Sequence, residues 1–189
     1  MEEARMNVYD FDGTIYDGDS TVDLGMYVLK KYPYRFLKLA AAGIRILGYY
    51  LHLTDKATAK TGIYRFITGI PDAEKVIEEF WDENIKKIYP WYLKQQKPDD
   101  VIISASPSFE IEVICRKLGI THVIASNVDV KTGKPFGVNN DGENKVTHFY
   151  EKFPDGVIDE FYSDSRHDKY LAAKAKKAFF IRNGLPEPW

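Results

Sequence analysis

Two acids one residue apart, Asp10 and Asp12, stand at the end of a short β-prone run, Asn7-Val8-Tyr9-Asp10-Phe11-Asp12-Gly13-Thr14. On a strand, residues i and i+2 leave in the same direction. Both carboxylates are therefore expected past the strand's carboxyl end, the edge where open parallel sheets bind ligands. Gly13 permits a sharp turn there, with no Cβ to obstruct it. Carboxylates held this close repel unless a cation or a proton lies between them. Such a pair suits a hard metal, a carboxylate nucleophile, or both. The plain alternative is an Asp-rich turn after a strand.

Three later stretches repeat the arrangement of polar residues at a strand end. Ile102-Ile103-Ser104-Ala105-Ser106-Pro107 places a hydroxyl where a helix is about to start, with Ser106 as N-cap and Pro107 as N1. A hydroxyl beside a helix N-terminus makes a phosphate-binding corner. Gly142-Glu143-Asn144-Lys145-Val146 opens a helix after a polar loop. Its lysine is either a solvated charge or an inward one, with Lys131, Lys134 and Lys152 as competitors. Phe161-Tyr162-Ser163-Asp164-Ser165-Arg166-His167-Asp168 ends a strand in an acid, with a second acid four residues on. For Asp168 a capping box with Ser165 is an equally good structural role.

Together these segments resemble the four motifs of the haloacid dehalogenase-like (HAD) superfamily of phosphatases and phosphotransferases. The helices that follow the first motif resemble the subclass that includes phosphoserine phosphatase. The resemblance implies Asp10 as nucleophile, Asp12 as general acid and base, Ser104 as phosphate holder and Lys145 as the bridge between nucleophile and phosphate. It implies Mg²⁺, held by Asp10, the Asp12 carbonyl and Asp164, with Asp168 in support. Phe11, Gly13, Thr14, Asp19, Ser104 and Ala105 are the expected substrate contacts. Asp19 falls near the acid that grips the amino acid in phosphoserine phosphatase. The cap arginine of that enzyme falls near Ile63, with Arg65 the closest basic residue, so serine phosphate does not follow.

The elements that must position these residues alternate. After residue 100 the expected order is strand Val101–Ser104, helix Phe109–Leu118, strand His122–Ala125, helix Lys145–Phe153, strand Glu160–Tyr162, helix Lys169–Lys177 and strand Ala178–Ile181. Val128 to Val138 reads as a hairpin on the sheet's edge. Such alternation predicts an α/β fold, a Rossmann-like parallel sheet with helices on both faces. From Asp17 to Gln96 the pattern is helical throughout, with breaks at Tyr32-Pro33-Tyr34, Gly69-Ile70-Pro71-Asp72 and Tyr89-Pro90-Trp91. The first strand must then join the later sheet across this block. The expectation is a discontinuous core, 1–16 and 97–189, with an inserted all-helical C1-type cap, 17–96.

Composition narrows the classes. At 189 residues, 44% hydrophobic and 14% aromatic, the chain suits one domain, or a core with a modest insertion, and argues against disorder. A net charge of −2 provides no basic field for nucleic acid. The single cysteine, Cys115, excludes an internal disulfide or a multi-thiolate zinc site and reads as a buried helix residue. No signal peptide is expected at the polar N-terminus, and a cytoplasmic location is the default. The stretch Leu37 to Leu53 is apolar but interrupted by Lys38, Arg45 and His52, too short and charged for a membrane span. On a long helix from Arg35 to His52, Arg35, Lys38 and Arg45 share one sector, opposite a broad apolar face. That face is either packing or a surface for anionic lipid.

The function read from the sequence is an Mg²⁺-dependent phosphatase for a phosphate monoester, acting through an aspartyl-phosphate. Two alternatives stand beside it: a lipid- or polyprenyl-phosphate phosphatase working at a membrane surface through the cap, and a non-catalytic phosphate-binding protein.

Overall fold

The computed structural model describes residues 5–37, 40 and 64–189. Six strands form one sheet in the order β3-β2-β1-β6-β7-β8: β1 (Arg5–Tyr9), β2 (Val101–Pro107), β3 (His122–Ser126), β6 (Val157–Ser163), β7 (Lys177–Arg182) and β8 (Leu185–Pro188). The first five run parallel, and β8 returns antiparallel to β7. β1 lies between β2 and β6, in register Val8 to Val101 and Val8 to Phe161. The chain thus leaves the sheet after its central strand and re-enters beside it more than 90 residues later, as the sequence pattern required.

Alternation along the strands sorts the apolar residues into two cores. Met6, Val8, Val101, Ile103 and Phe161 share one cluster with Phe149, from α5 (Asn144–Lys152), and Leu171, from α6 (Lys169–Ala172). Tyr9, Ile102 and Tyr162 face the other way. They meet α1 (Ser20–Lys31), α2 (Ala73–Asn84), α3 (Pro90–Gln95) and α4 (Ser108–Leu118) in a larger, aromatic-rich cluster. Among the described residues no strand occurs between 17 and 96, only helices and short 3₁₀ turns at Pro33–Arg35, Tyr64–Phe66 and Ile85–Lys87. Trp81 of α2 packs edge-on against Phe11 and Tyr16 at 5.7 and 5.5 Å and donates its indole hydrogen to the Glu110 carbonyl at 2.9 Å. This contact ties the helical block to the loop after β1. Truncating such a side chain costs about 3–5 kcal/mol.

Several elements depart from the sequence reading. β2 runs on to Pro107, so α4 starts at Ser108 and Ser106 caps nothing. The segment from Val128 forms a separate two-stranded sheet, β4 (Val128–Asp129) with β5 (Lys134–Pro135), and not an edge of the main one. The expected helix Lys169–Lys177 stops at Ala172 because the Lys176 amide donates to the Ile158 carbonyl at 3.0 Å, drawing the chain into β7. β8 is additional. It follows a tight turn at Asn183 and Gly184, both with positive φ, as a type I′ hairpin requires.

Arg35 opens no lipid-facing stripe. It is buried at the end of a 3₁₀ turn, and its guanidinium donates to the carbonyls of Phe66, Thr68 and Gly69 at 3.1, 2.7 and 2.7 Å. Lys38, Arg45 and His52 lie outside the described residues, as does Ile63. Among the described residues, no helix is long and apolar enough to cross a membrane.

Candidate active site

The loop after β1 winds tightly around one carbonyl. That of Phe11 accepts from the amides of Thr14, Ile15 and Tyr16 at 3.0–3.2 Å. Gly13 sits at φ +67°, and a Cβ there would collide with the Asp164 carboxylate at the end of β6. Glycine is therefore needed twice, for the turn and for the close approach. Thr14 joins the same two strands: its hydroxyl accepts from the Asp164 amide at 2.9 Å and lies 3.5 Å from Asp164 Oδ1. Asp164 itself is exposed at the sheet edge.

Asp10, the first residue beyond β1, is anchored by its amide on the Tyr162 carbonyl at 2.9 Å. Its Oδ1 accepts from Lys145 Nζ at 2.8 Å. Lys145 comes from the first turn of α5, is 2% exposed, and also donates to Asp168 Oδ2 at 2.7 Å. Asp168 accepts at that same oxygen from Ser163 Oγ, at 2.8 Å. Burial pushes the Asp10 carboxyl up to about 7 although Lys145 pulls against it. Burial alone would lower the ammonium of Lys145, but the two carboxylates outweigh it and raise its pKa. The expected capping box of Ser165 and Asp168 is not made. Ser165 caps its 3₁₀ turn by accepting from the His167 amide, while the Asp168 carboxylate is drawn inward by a buried cation that needs a second partner.

Asp12 sits in different surroundings. Its Oδ2 accepts from Ser106 Oγ at 2.5 Å, and its Oδ1 from the Ser20 amide at 2.7 Å. Burial raises its pKa, against these two donors. The sequence pattern makes Ser106 a helix cap; a short hydrogen bond with Asp12 holds it instead. Ser104 is buried, and its hydroxyl accepts from the Ser106 amide at 3.0 Å; Ala105 between them is exposed. Asp19 caps α1, its carboxylate accepting from the Val22 amide at 2.9 Å. The Phe11 side chain is fully buried against Tyr16 and Trp81, so only its backbone faces the strand end.

Asp10, Lys145 and Asp168 are thus joined in one cluster, and Asp12 with Ser104, through Ser106, in a second beside it. Asp164 with Gly13 and Thr14 forms a third group. Among the described residues no three His, Cys, Asp or Glu side chains converge as a self-sufficient metal cage. The donors present are hard oxygens: the Asp10 and Asp164 carboxylates, with the Asp12 carbonyl on the loop that joins them. That set suits Mg²⁺, which binds through one or two carboxylates and keeps waters. The space that only glycine leaves at position 13, under Asp164, fits the same use. Asp168 is committed to Lys145 and Ser163.

Asn140 belongs to none of the four motifs. It is fully buried and donates to the Ser104 and Ile124 carbonyls at 2.8 and 2.9 Å, while its amide donates to Ser126 Oγ. It fixes the ends of β2 and β3 relative to the loop that carries Lys145. The polar run Asn139-Asn140-Asp141-Gly142 was the available signal.

The profile of the haloacid dehalogenase-like hydrolase family matches residues 8–173, and the chain belongs to that family. No curated protein matches it. Among solved structures, a protein of unknown function from Bordetella pertussis Tohama I is similar over 93% of this chain and 88% of its own, with 19% identity and a TM-score of 0.71. A phosphoserine phosphohydrolase-like protein from Francisella tularensis is 18% identical, with coverages of 96% and 88% and a TM-score of 0.54. A probable phosphoserine phosphatase from Vibrio cholerae is 10% identical, with coverages of 93% and 55% and a TM-score of 0.65. At these identities the likeness concerns the fold.

Proposed function

We propose that the protein is an Mg²⁺-dependent phosphatase that hydrolyses a phosphate monoester through an aspartyl-phosphate on Asp10. The observation that carries this reading is the contrast between the two acids of one loop. Asp10 is ion-paired with a buried ammonium that works against the burial raising its carboxyl, while Asp12 is held by neutral donors in a buried setting that favours its proton.

Asp10 is the nucleophile, a role open to carboxylates in covalent catalysis. Its oxygen attacks phosphorus as the bond to the leaving oxygen breaks. Asp12 gives its proton to that oxygen, then takes one from the water that hydrolyses the acyl phosphate. Lys145 offsets the charge that gathers between carboxylate and phosphate, and Asp168 with Ser163 keeps it aimed. Ser104 and the backbone of Phe11 and Asp12 are the phosphate's hydrogen-bond partners. Asp10, the Asp12 carbonyl and Asp164 would hold Mg²⁺, which supplies further positive charge against the phosphate dianion. Residues 17–96 act as the cap, with Asp19 near the substrate, and the core is formed by 1–16 and 97–189.

A screen of phosphate monoesters, from p-nitrophenyl phosphate through amino-acid and sugar phosphates to lipid phosphates, tests the reading and ranks substrates. Mg²⁺-dependent phosphate release that exhaustive chelation abolishes is the expected result. Tight phosphate binding without turnover of any ester would leave a binding protein instead.

A further inference from the structure

One buried acid has no task in the reaction just described. Glu110, in the first turn of α4, is fully buried. Its Oε2 lies 3.1 Å from Thr21 Oγ1, and its Oε1 has no hydrogen-bond partner. The acids Asp12 and Asp19 and the hydroxyls of Ser20 and Thr21 act on it, and the phenols Tyr16 and Tyr64 feel its charge. Ser20 Oγ is close enough to ease its ionisation, yet it too completes no hydrogen bond. Among the described residues no cation pairs with Glu110. Burial first, and the charge of Asp12 next, push its carboxyl well above the usual range.

Hydroxyls connect this acid to Asp12. Ser106 Oγ lies 2.5 Å from Asp12 Oδ2, Thr21 Oγ1 lies 3.4 Å from Ser106 Oγ, and Glu110 closes the row. Each hydroxyl carries one hydrogen. Ser106 donates its hydrogen to Asp12, so toward Thr21 it can only accept. Thr21 must then donate to Ser106, and toward Glu110 it too can only accept. The row needs one proton between the two acids: on Glu110 Oε2 while Asp12 accepts from Ser106, or on Asp12 Oδ2 with every bond reversed toward Glu110. With both acids ionised, Glu110 would claim the Thr21 hydrogen and the link to Ser106 would break.

We propose that Glu110 is a positioning residue for Asp12, acting through Thr21 and Ser106 to hold the carboxyl's aim at the leaving oxygen. This inference rests on the phosphatase reading and on the acid role of Asp12 within it. Thr21 belongs to α1, in the helical block, whereas Ser106 and Glu110 belong to the core. The row is therefore made only while α1 is seated against α4, and Asp12 is aligned by that seating.

The test compares Glu110→Gln, Glu110→Leu, Thr21→Val and Thr21→Ser on two esters, p-nitrophenyl phosphate and an alkyl phosphate whose leaving oxygen needs a proton. Glutamine keeps a donor at the same place, so Glu110→Gln should stay within about twofold of wild type. Glu110→Leu and Thr21→Val should each lower kcat on the alkyl ester about 5- to 20-fold, with KM unchanged, and should spare most of the nitrophenyl turnover. Thr21→Ser should restore the loss. The double variant Glu110→Leu with Thr21→Val should be no worse than either alone, because both cut one row. Equal losses on both esters, or additive losses, would reduce Glu110 to a packing role and overturn the proposal. Should wild type release phosphate from neither ester, the phosphatase reading fails, and carboxyl ¹³C NMR then decides the row by itself. An Asp12 signal that moves in both Thr21→Val and Glu110→Leu supports it; one that moves in neither contradicts it.

Discussion

Asp10 and Asp12 are the same residue type, two positions apart on one loop, and the molecule treats them oppositely. Asp10 faces Lys145, itself shared with Asp168, so one cation stands between two carboxylates. Asp12 faces a serine hydroxyl and a backbone amide, with another acid, Glu110, behind the hydroxyls. Burial raises both carboxyls, and only Asp10 has a cation working against that rise, so one site sets an ion-paired carboxylate beside an acid held by neutral donors. The division comes from what later segments bring to the loop: α5 supplies an ammonium to one acid, and β2 and α1 supply neutral donors to the other.

The contrast can be broken most severely from its charged side. Lys145→Met should abolish turnover and also destabilise the fold by about 3–5 kcal/mol, since it leaves two buried carboxylates without their cation. Chemical denaturation together with phosphate release measures both effects. From the neutral side, Asp12→Asn should lower kcat about 10²–10⁴-fold on alkyl esters, with partial rescue of the first step by nitrophenol as leaving group. Loss independent of the leaving group would deny Asp12 its acid role. Asp164→Ala should weaken Mg²⁺ binding, followed calorimetrically, more than Asp168→Ala does. The carboxylate of Asp168 is occupied by Lys145 and Ser163, so its loss should show chiefly in stability and kcat.

A buried acid outside the site supplies the smallest effect and a control. Asp100 is held by the Lys97 amide at 2.8 Å, and burial pushes its carboxyl up to about 6. The native state then holds this proton more tightly than the unfolded chain. Stability from this group is full at low pH, falls as pH rises from about 4 to about 6, and stays reduced above. Asp100→Asn, which keeps the acceptor, should therefore match wild type near pH 4. At pH 8 it should exceed wild type by about 1 kcal/mol, a value already discounted for solvent screening, or about 2–4 °C in Tm. Activity should be unchanged.

Much of this was legible in the chain. Strand ends followed by acids or hydroxyls located Asp10, Asp12, Ser104 and Asp164, and the strand–helix alternation required β1 to join the later sheet. What stayed hidden depends on contacts between distant segments. Ser106-Pro107 has the local signature of a helix start, but a carboxylate 94 residues away takes the serine hydroxyl and the strand continues. Ser165 and Asp168 have the spacing of a capping box, yet a buried lysine makes a stronger demand on the acid. Glu110 and Glu112 look alike in Ser108-Phe109-Glu110-Ile111-Glu112; only the packing of the helical block, Trp81 of α2 and Thr21 of α1, on α4 buries one and leaves the other exposed. Arg35 reads as a surface cation until three carbonyls of the 66–69 turn close around it. The hairpin into β8 had its Asn183-Gly184 signal, but Pro186 and Pro188 obscured the strand pattern after it.

The most direct measurement is the trapping of the covalent intermediate. Wild-type protein is mixed with radiolabelled phosphate ester and Mg²⁺, quenched in acid and digested. The label should lie on the peptide containing Asp10, resist acid, and be released by hydroxylamine as an acyl phosphate. Asp10→Asn should fold normally, since its amide oxygen still accepts from Lys145, and should carry no label. Label on Ser104, or turnover that persists in Asp10→Asn, would contradict the account.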